Sequence, residues 1–339
     1  MPSSMAGLPL AVDAHNDLSA ELLQRRGETM AFSRHWLPLL RQGGVSLTVC
    51  AVNVVDTGRP SETHVPVALQ QIATILGAVA ETDSSVVAVR DAEDIRAVQA
   101  DRGQIGLMIG LEGCEPLGGD PLVAPVFFEL GVRCFGLTWN ARNAFACGLG
   151  EHVDDGLSPA GRKLLAVLSG LRCVVDLSHA SPRTVSEALE LLPPGRAFVS
   201  HAGCRAVYDT PRNLSDDQLR AVADHGGVLG VLGHPVGVDT REPTVGRMID
   251  HIDHAVDIMG RDRVGIGPDF FRRVARARKL AAGEAGLPAQ LPPDAVIDGF
   301  EGPEAYPNLA ARLRERGYGE HSVAAICGTN LLEFLAAAL

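Results

Sequence analysis

Eight short apolar runs recur along the chain, each followed by a longer amphipathic stretch, and this alternation constrains the fold more than any other feature of the 339 residues. The runs are 8–15, 45–54, 105–111, 132–139, 171–178, 197–200, 226–233 and 263–267, and their length and β-branched content fit strands better than helices. Between them, 67–81, 121–130, 182–192, 214–225 and 244–260 read as helices. Several open on capping signals such as Ser181-Pro182, or Ser215 followed by two aspartates. Parallel strands need helical crossovers, so eight such alternations predict an α/β fold, a (β/α)8 TIM barrel in one domain over 1–339. The segment 271–298 starts FRRVARARK and reads as an elaborated loop after the eighth strand, either a basic solvated helix or a substrate lid. The region 306–338 reads as C-terminal helices.

Charge and cysteine usage narrow the partners. Acidic residues outnumber basic ones 41 to 30, a formal charge of −11 that disfavours nucleic acid and anionic membranes and favours a small-molecule substrate. The seven cysteines form no C-x-x-C pair and are odd in number, which argues against a disulfide framework or a structural zinc knuckle and fits a reducing cytoplasm. The N-terminal stretch lacks a basic n-region, and no run approaches the roughly 18 uninterrupted apolar residues of a membrane span. A homodimer is left open.

Chemistry-bearing residues stand where the predicted strands end. His15 and Asp17 close the first, and side chains two apart on a strand share a face. Glu112 follows 105–111, His179 follows 171–178, His201 follows 197–200, and Asp269 lies just past 263–267. Each alone could be a cap or a satisfied polar residue. In a barrel, however, C-terminal strand ends converge on one mouth, so residues far apart in sequence meet there. Imidazoles and carboxylates without thiolates suit zinc or another borderline divalent ion in a catalytic site. Five such ligands exceed what one catalytic zinc takes, which favours two metals, with a carboxylate such as Glu112 spanning ions about 3.5–4 Å apart.

DAHND, GLEG, GVRCFGLTWN, DLSHAS, SHAG, PRNLSDDQL and VGIGPDF, in this order, resemble the membrane (renal) dipeptidase family, the M19 metallopeptidases of the amidohydrolase superfamily. The resemblance runs from about residue 10 to the C-terminus, where GTNLLEF looks like the family's closing helix. It implies two Zn2+ per chain and hydrolysis of dipeptides and related amides through a metal-bridging hydroxide. By the same resemblance His15, Asp17 and Glu112 would hold one zinc, and Glu112, His179 and His201 the other. Asp269 matches the general acid/base. Arg212 matches the arginine that grips the substrate carboxylate, a role its planar fork suits, although a surface salt bridge would suit it too.

Two departures bear on substrate. Renal-type members carry a histidine after the Leu-Thr pair, thought to contact the oxygen of the tetrahedral intermediate; this chain has Trp139, whose indole donates one N–H and carries no charge. Asn140, Arg142 or Asn143 could supply the donor instead, and Trp139 and Asn140 are expected at the substrate. After Asp269 the family commonly continues Asp-Phe-Asp-Gly, whereas Phe271 here removes an acid. Three readings follow: a zinc-dependent dipeptidase; a metal-dependent amidohydrolase for a lactam, an N-acyl amino acid or a biosynthetic intermediate; and a non-catalytic barrel kept as a binding module.

Overall fold

The computed structural model describes residues 10–54, 61–270 and 295–339. Nine parallel strands run through it: β1 (Ala11–Asn16), β2 (Val45–Val52), β3 (Val86–Ala88), β4 (Ile105–Leu111), β5 (Val132–Gly136), β6 (Val174–Asp176), β7 (Ala197–Ala202), β8 (Leu229–Leu232) and β9 (Val264–Gly267). Eight form the barrel in the order β1-β2-β4-β5-β6-β7-β8-β9. At the remaining seam the Asp269 N–H donates to the His15 carbonyl at 3.2 Å, bringing the ends of the sheet together. The fold is the expected TIM barrel. Strand β3 was not expected: it is three residues long and pairs only with the start of β4, outside the barrel path, too brief to register as a periodic run.

The strands end at one level, and the register shows it. Val52 faces Leu111, Leu111 faces Phe135, and Gly136 faces Asp176. Residues just past these ends therefore share one mouth. The expected helices are present as His64–Ala80, Ala124–Glu129, Pro182–Leu191, Asp216–Asp224 and Val245–Met259. Ser181 and Ser215 cap theirs through N–H bonds from Thr184 and Gln218, as their positions in sequence suggest. Most of the loop read at 271–298 lies outside the described residues, and so does Phe271.

Two buried clusters hold the barrel. The larger lies between strand backs and helices, with Trp36, Phe127, Phe135 and Tyr306 among its large members. The second fills the barrel interior, where Val12, Ala14, Val49, Met108 and Phe198 meet Leu331 and Leu335 of the last helix, Asn330–Ala338. That helix closes the barrel floor, with the Phe334 ring 5.5 Å from Phe198. Two helical stretches, Ser61–Ala80 and Glu320–Ala338, have the length and mean hydropathy of a membrane span, although polar residues interrupt both; 67% of the second is buried against the protein.

His251 ties the loops of the mouth to a helix. Its Nδ1 accepts the Cys204 N–H and its Nε2–H donates to the Val238 carbonyl, both at 2.9 Å, so the neutral ring is what the fold requires. Burial holds it neutral, its pKa pushed down to about 4 from the usual 6.5. Because the folded pKa lies below the unfolded one, its contribution is complete above pH 6.5 and is lost as pH falls toward 4. Between pH 7 and pH 5 this one group should remove about 2 kcal/mol of stability. Urea unfolding at the two pH values should show that increment in the wild type and its absence in His251→Asn.

Candidate active site

The first strand ends in a bulge. Three steps along β1, from Asp13 to Asn16, run against two along β2, from Thr48 to Cys50, and the extra residue re-aims the side chains that follow. Asp13 supports the distortion: its carboxylate accepts the His15 N–H at 3.1 Å and the Asn16 side-chain amide at 2.7 Å. Asn16 Oδ1 in turn accepts the Leu18 N–H, starting the helix Leu18–Gln24. His15 and Asp17 do share a site, but simple alternation is not the reason. The strand stops at Asn16, and Asp17 is already the cap position of that helix.

The other ligands come from β4, β6 and β7. Glu112 follows β4 with its N–H on the Val52 carbonyl. His179 follows β6 with φ +64, and Asp269 follows β9 with φ +53, both in the left-handed region that costs a non-glycine residue strain. His201 sits in a second bulge, where Val199 to Ala202 on β7 runs against Leu229 to Val231 on β8. Glu112 Oε1 lies 3.5 Å from His15 Nε2, 3.1 Å from His179 Nε2 and 3.6 Å from His201 Nε2. The two last imidazole nitrogens are 2.9 Å apart, and the His15 and His201 rings stack at 3.7 Å. Ligating atoms of His15, Asp17 and Asp269 also fall within 4.8 Å of one another.

This cluster fits a cation. His179 Nδ1 lies 2.7 Å from Asn140 Oδ1, an acceptor, so Nδ1 carries the proton and Nε2 presents its lone pair. Arg212 Nη2, only a donor, lies 3.2 Å from that Nε2 and requires the same assignment. Yet Nε2 also faces the carboxylate oxygen of Glu112, and His15 Nε2 beside it makes no hydrogen bond. Arg212 meets one of these lone pairs, but among the described residues no hydrogen bond satisfies His15 Nε2, and a divalent ion held at the cluster would resolve that arrangement.

Protonation follows the surroundings. Burial works against the Glu112 carboxylate, but His15, His179 and His201 outweigh it and hold its pKa well below the usual range. Burial likewise opposes charge on His15, yet Glu112, Asp269 and Asp17 raise its pKa. His179 is pushed down to about 4 by burial and then by Arg212, and His201 falls well below its usual value by burial and then by His15. Asp269 rises to about 7, chiefly through burial.

All nine residues singled out in the sequence lie at this mouth. Arg212 is buried, held by a loop that Asn213 braces with bonds from the Gly203 N–H and to the Tyr208 and Gly237 carbonyls. Trp139 is half-buried, its ring 6.2 Å from His179. Asn140, expected at the substrate, places its oxygen on His179 Nδ1. Of the other two donors named in the sequence, neither faces the cluster: Arg142 pairs with Asp155 and Glu151 on the surface, and the Asn143 amide is spent on Glu115 and the Leu137 carbonyl. Sequence reading missed Asn53, whose Nδ2 holds Glu112 Oε2 at 2.6 Å, and Gln71, which grips the Asn53 backbone. It also missed Asp176 and Ser200 behind His201. Asn53 had a signal, since it stands at a strand end like the ligands; Gln71, midway along a helix, had none.

A (β/α)8 barrel that gathers imidazoles and carboxylates at its C-terminal strand ends has there a donor set that could hold a metal ion. The chain belongs to the membrane dipeptidase family, peptidase family M19, whose family model matches residues 5–278. It is 34% identical over 236 residues to an uncharacterized dipeptidase of Schizosaccharomyces pombe, a match covering 68% of this chain and 53% of that protein. The chain spans about half the length of the curated relatives it matches. Its fold is similar to a crystal structure of a dipeptidase AC, a metallopeptidase of family M19, with TM-score 0.84, 24% identity and coverage of 97% and 99% of the two chains. It is also similar to a metallopeptidase from Rhodobacter sphaeroides liganded with a phosphinate mimic of L-Ala-D-Ala, with TM-score 0.83, 23% identity and coverage of 98% and 99%.

Asn140 fixes the ring of one ligand, and groups so placed change metal affinity about 10–100-fold when removed. Asn140→Ala should therefore weaken zinc binding by that factor while unfolding within a few degrees of wild type, as read by competition with a chelating dye.

Proposed function

We propose that this protein is a metal-dependent dipeptidase, with zinc as the metal and a dipeptide bearing a free C-terminal carboxylate as substrate. The carrying observation is Arg212. A buried guanidinium beside the imidazole–carboxylate cluster is a planar fork matched to a carboxylate, which supports a short substrate whose scissile amide lies near its own C-terminus. The dipeptide mimic bound by the Rhodobacter relative supports the same substrate class.

His15, Asp17, Glu112, His179 and His201 would hold two divalent ions, with Glu112 between the pairs. Bound there, the ions supply Lewis acidity toward the amide carbonyl and make water acidic enough to attack at neutral pH. The chain's own residues do the rest. Arg212 orients the substrate by its carboxylate, which turns its amide toward the cluster. Asp269, next to His15 and Asp17, takes a proton from the attacking water on its carboxylate oxygen and returns it to the leaving amine. Strand ends and the half-buried Trp139 wall the amide from bulk water. Seven free, buried cysteines support a reducing, cytoplasmic location.

Trp139 favours a second reading. An indole beside His179, where renal-type members carry a histidine, suits a bulkier or cyclic amide whose face stacks on the ring. On this reading a lactam or N-acyl amino acid replaces the simple dipeptide.

One screen separates the two. Protein purified with zinc should carry about two ions per chain by elemental analysis and cleave members of an L-L and L-D dipeptide panel with kcat/KM in the range of about 10⁴ M⁻¹s⁻¹ or more. Values below roughly 10 M⁻¹s⁻¹ on every dipeptide, with turnover of a cyclic or N-acyl amide, would favour the second reading.

Arg212 gives a sharper check. Arg212→Ala should lose about 2–5 kcal/mol in kcat/KM on substrates with a free carboxylate and much less on their C-terminal amides. Equal losses on both would remove the carboxylate-binding role.

A further inference from the structure

Behind the metal cluster, β6 and β7 bury a chain of polar groups that the reaction itself does not use. Asp176, the last residue of β6, accepts the Ser178 N–H at 3.0 Å and the Ser200 N–H at 2.9 Å on Oδ1. Its other oxygen, Oδ2, accepts the Ser200 hydroxyl at 2.5 Å, in the range of charge-assisted O–H···O⁻ bonds. Ser200 Oγ lies 2.7 Å from His201 Nδ1, and Ser178 Oγ accepts the His201 N–H at 3.0 Å. None of the four residues is more than 4% exposed.

Counting protons fixes every direction in this chain. A carboxylate only accepts, so the one hydroxyl proton of Ser200 is committed to Asp176. Ser200 Oγ can then only accept from the imidazole, which places the His201 proton on Nδ1 and a lone pair on Nε2. Ser178 Oγ, 3.1 Å from Ser200 Oγ, donates to the remaining lone pair and completes the set. The backbone that carries the hydroxyl is confined: a Cβ on Gly230 or on Gly267 would meet the Ser200 carbonyl, so β8 and β9 press against it.

We propose that Asp176 and Ser200 are positioning residues that lock the proton of His201 on Nδ1 and pass the charge of a carboxylate through a hydroxyl to this one ligand. This rests on the reading of His201 as a metal ligand. The second imidazole of the pair, His179, is held by the neutral amide of Asn140. His179 and His201 are therefore unequal donors. Outer partners that accept from a ligating imidazole raise its basicity, and a carboxylate does so more than an amide. His201 is the stronger ligand and keeps its metal when His179 gives way.

The isosteric change Asp176→Asn is the decisive variant, because it reverses the chain. An amide nitrogen facing Ser200 donates to Oγ, the hydroxyl proton turns to His201 Nδ1, and the imidazole proton moves to Nε2, where it blocks metal binding. Metal-free protein labelled with 15N-histidine should show His201 as the Nδ1–H tautomer in the wild type and as Nε2–H in Asp176→Asn. In competition titrations with zinc alone, Asp176→Asn and Ser200→Ala should bind 10–100-fold more weakly. Ser178→Ala, which strips a hydroxyl from the same network outside the proton path, should stay within about threefold even where it lowers the melting temperature. An Nε2–H wild type, zinc binding by Asp176→Asn within threefold of wild type, or an equal loss in Ser178→Ala would each overturn the proposal. Hydrolysis is not a readout, so a wild type that binds zinc but cleaves no dipeptide overturns the proposed function and leaves this one standing; a wild type that binds no zinc overturns both.

Discussion

Lone pairs that face one another hold no structure together by themselves, and the mouth of this barrel is built from them. Glu112 Oε1 stands within 3.6 Å of three imidazole nitrogens, and all four residues are buried. Only positive charge makes that assembly favourable. Arg212 supplies part of it, and a divalent ion held there would supply the rest. Much of the surrounding architecture consists of polar groups set at the backs of these residues: Asn53 donates to Glu112, while Asn140 and Ser200 accept from the far nitrogens of His179 and His201. The layer is polar, buried and nearly complete, and a layer of that kind specifies one arrangement only when all its members are present.

Backbone distortion accompanies the cluster. Two strands carry bulges where they deliver His15 and His201, and two residues past strand ends, His179 and Asp269, adopt left-handed backbone without being glycine. Each left-handed residue costs of order 1–3 kcal/mol. The barrel can carry them because its walls are otherwise dry and continuous, with every strand residue of β2 and β4 buried.

The fold was legible in the sequence because a barrel repeats one physical demand eight times, a buried strand and an amphipathic crossover, and any one weak signal is supported by the others. That His15, Glu112, His179 and His201 meet was legible for a related reason: a charged or imidazole side chain directly after an apolar run has one place to go. The mode of delivery was not. Period-two alternation placed His15 and Asp17 together, whereas the chain achieves this with a bulge and a helix cap, and nothing in the string DAHND marks an extra residue between hydrogen bonds. Asn140 shows the same limit. It was expected at the substrate because it follows Trp139, but the choice between substrate and His179 depends on which way a loop turns. Asp176 and Ser200 stood within quoted motifs and still escaped notice, because a residue supporting a ligand from behind looks in sequence like any other polar residue in a strand.

The last helix, Asn330–Ala338, has a consequence for synthesis. Its leucines fill the barrel beside Val12, Ala14 and Met108, and Tyr306 bonds to the carbonyl of Val12, 294 positions earlier. The first strand thus has no finished interior until the final tenth of these residues has left the ribosome. Val12, Ala14 and Met108 therefore wait for their apolar partners for as long as the intervening residues take to emerge, at about 5–20 residues per second.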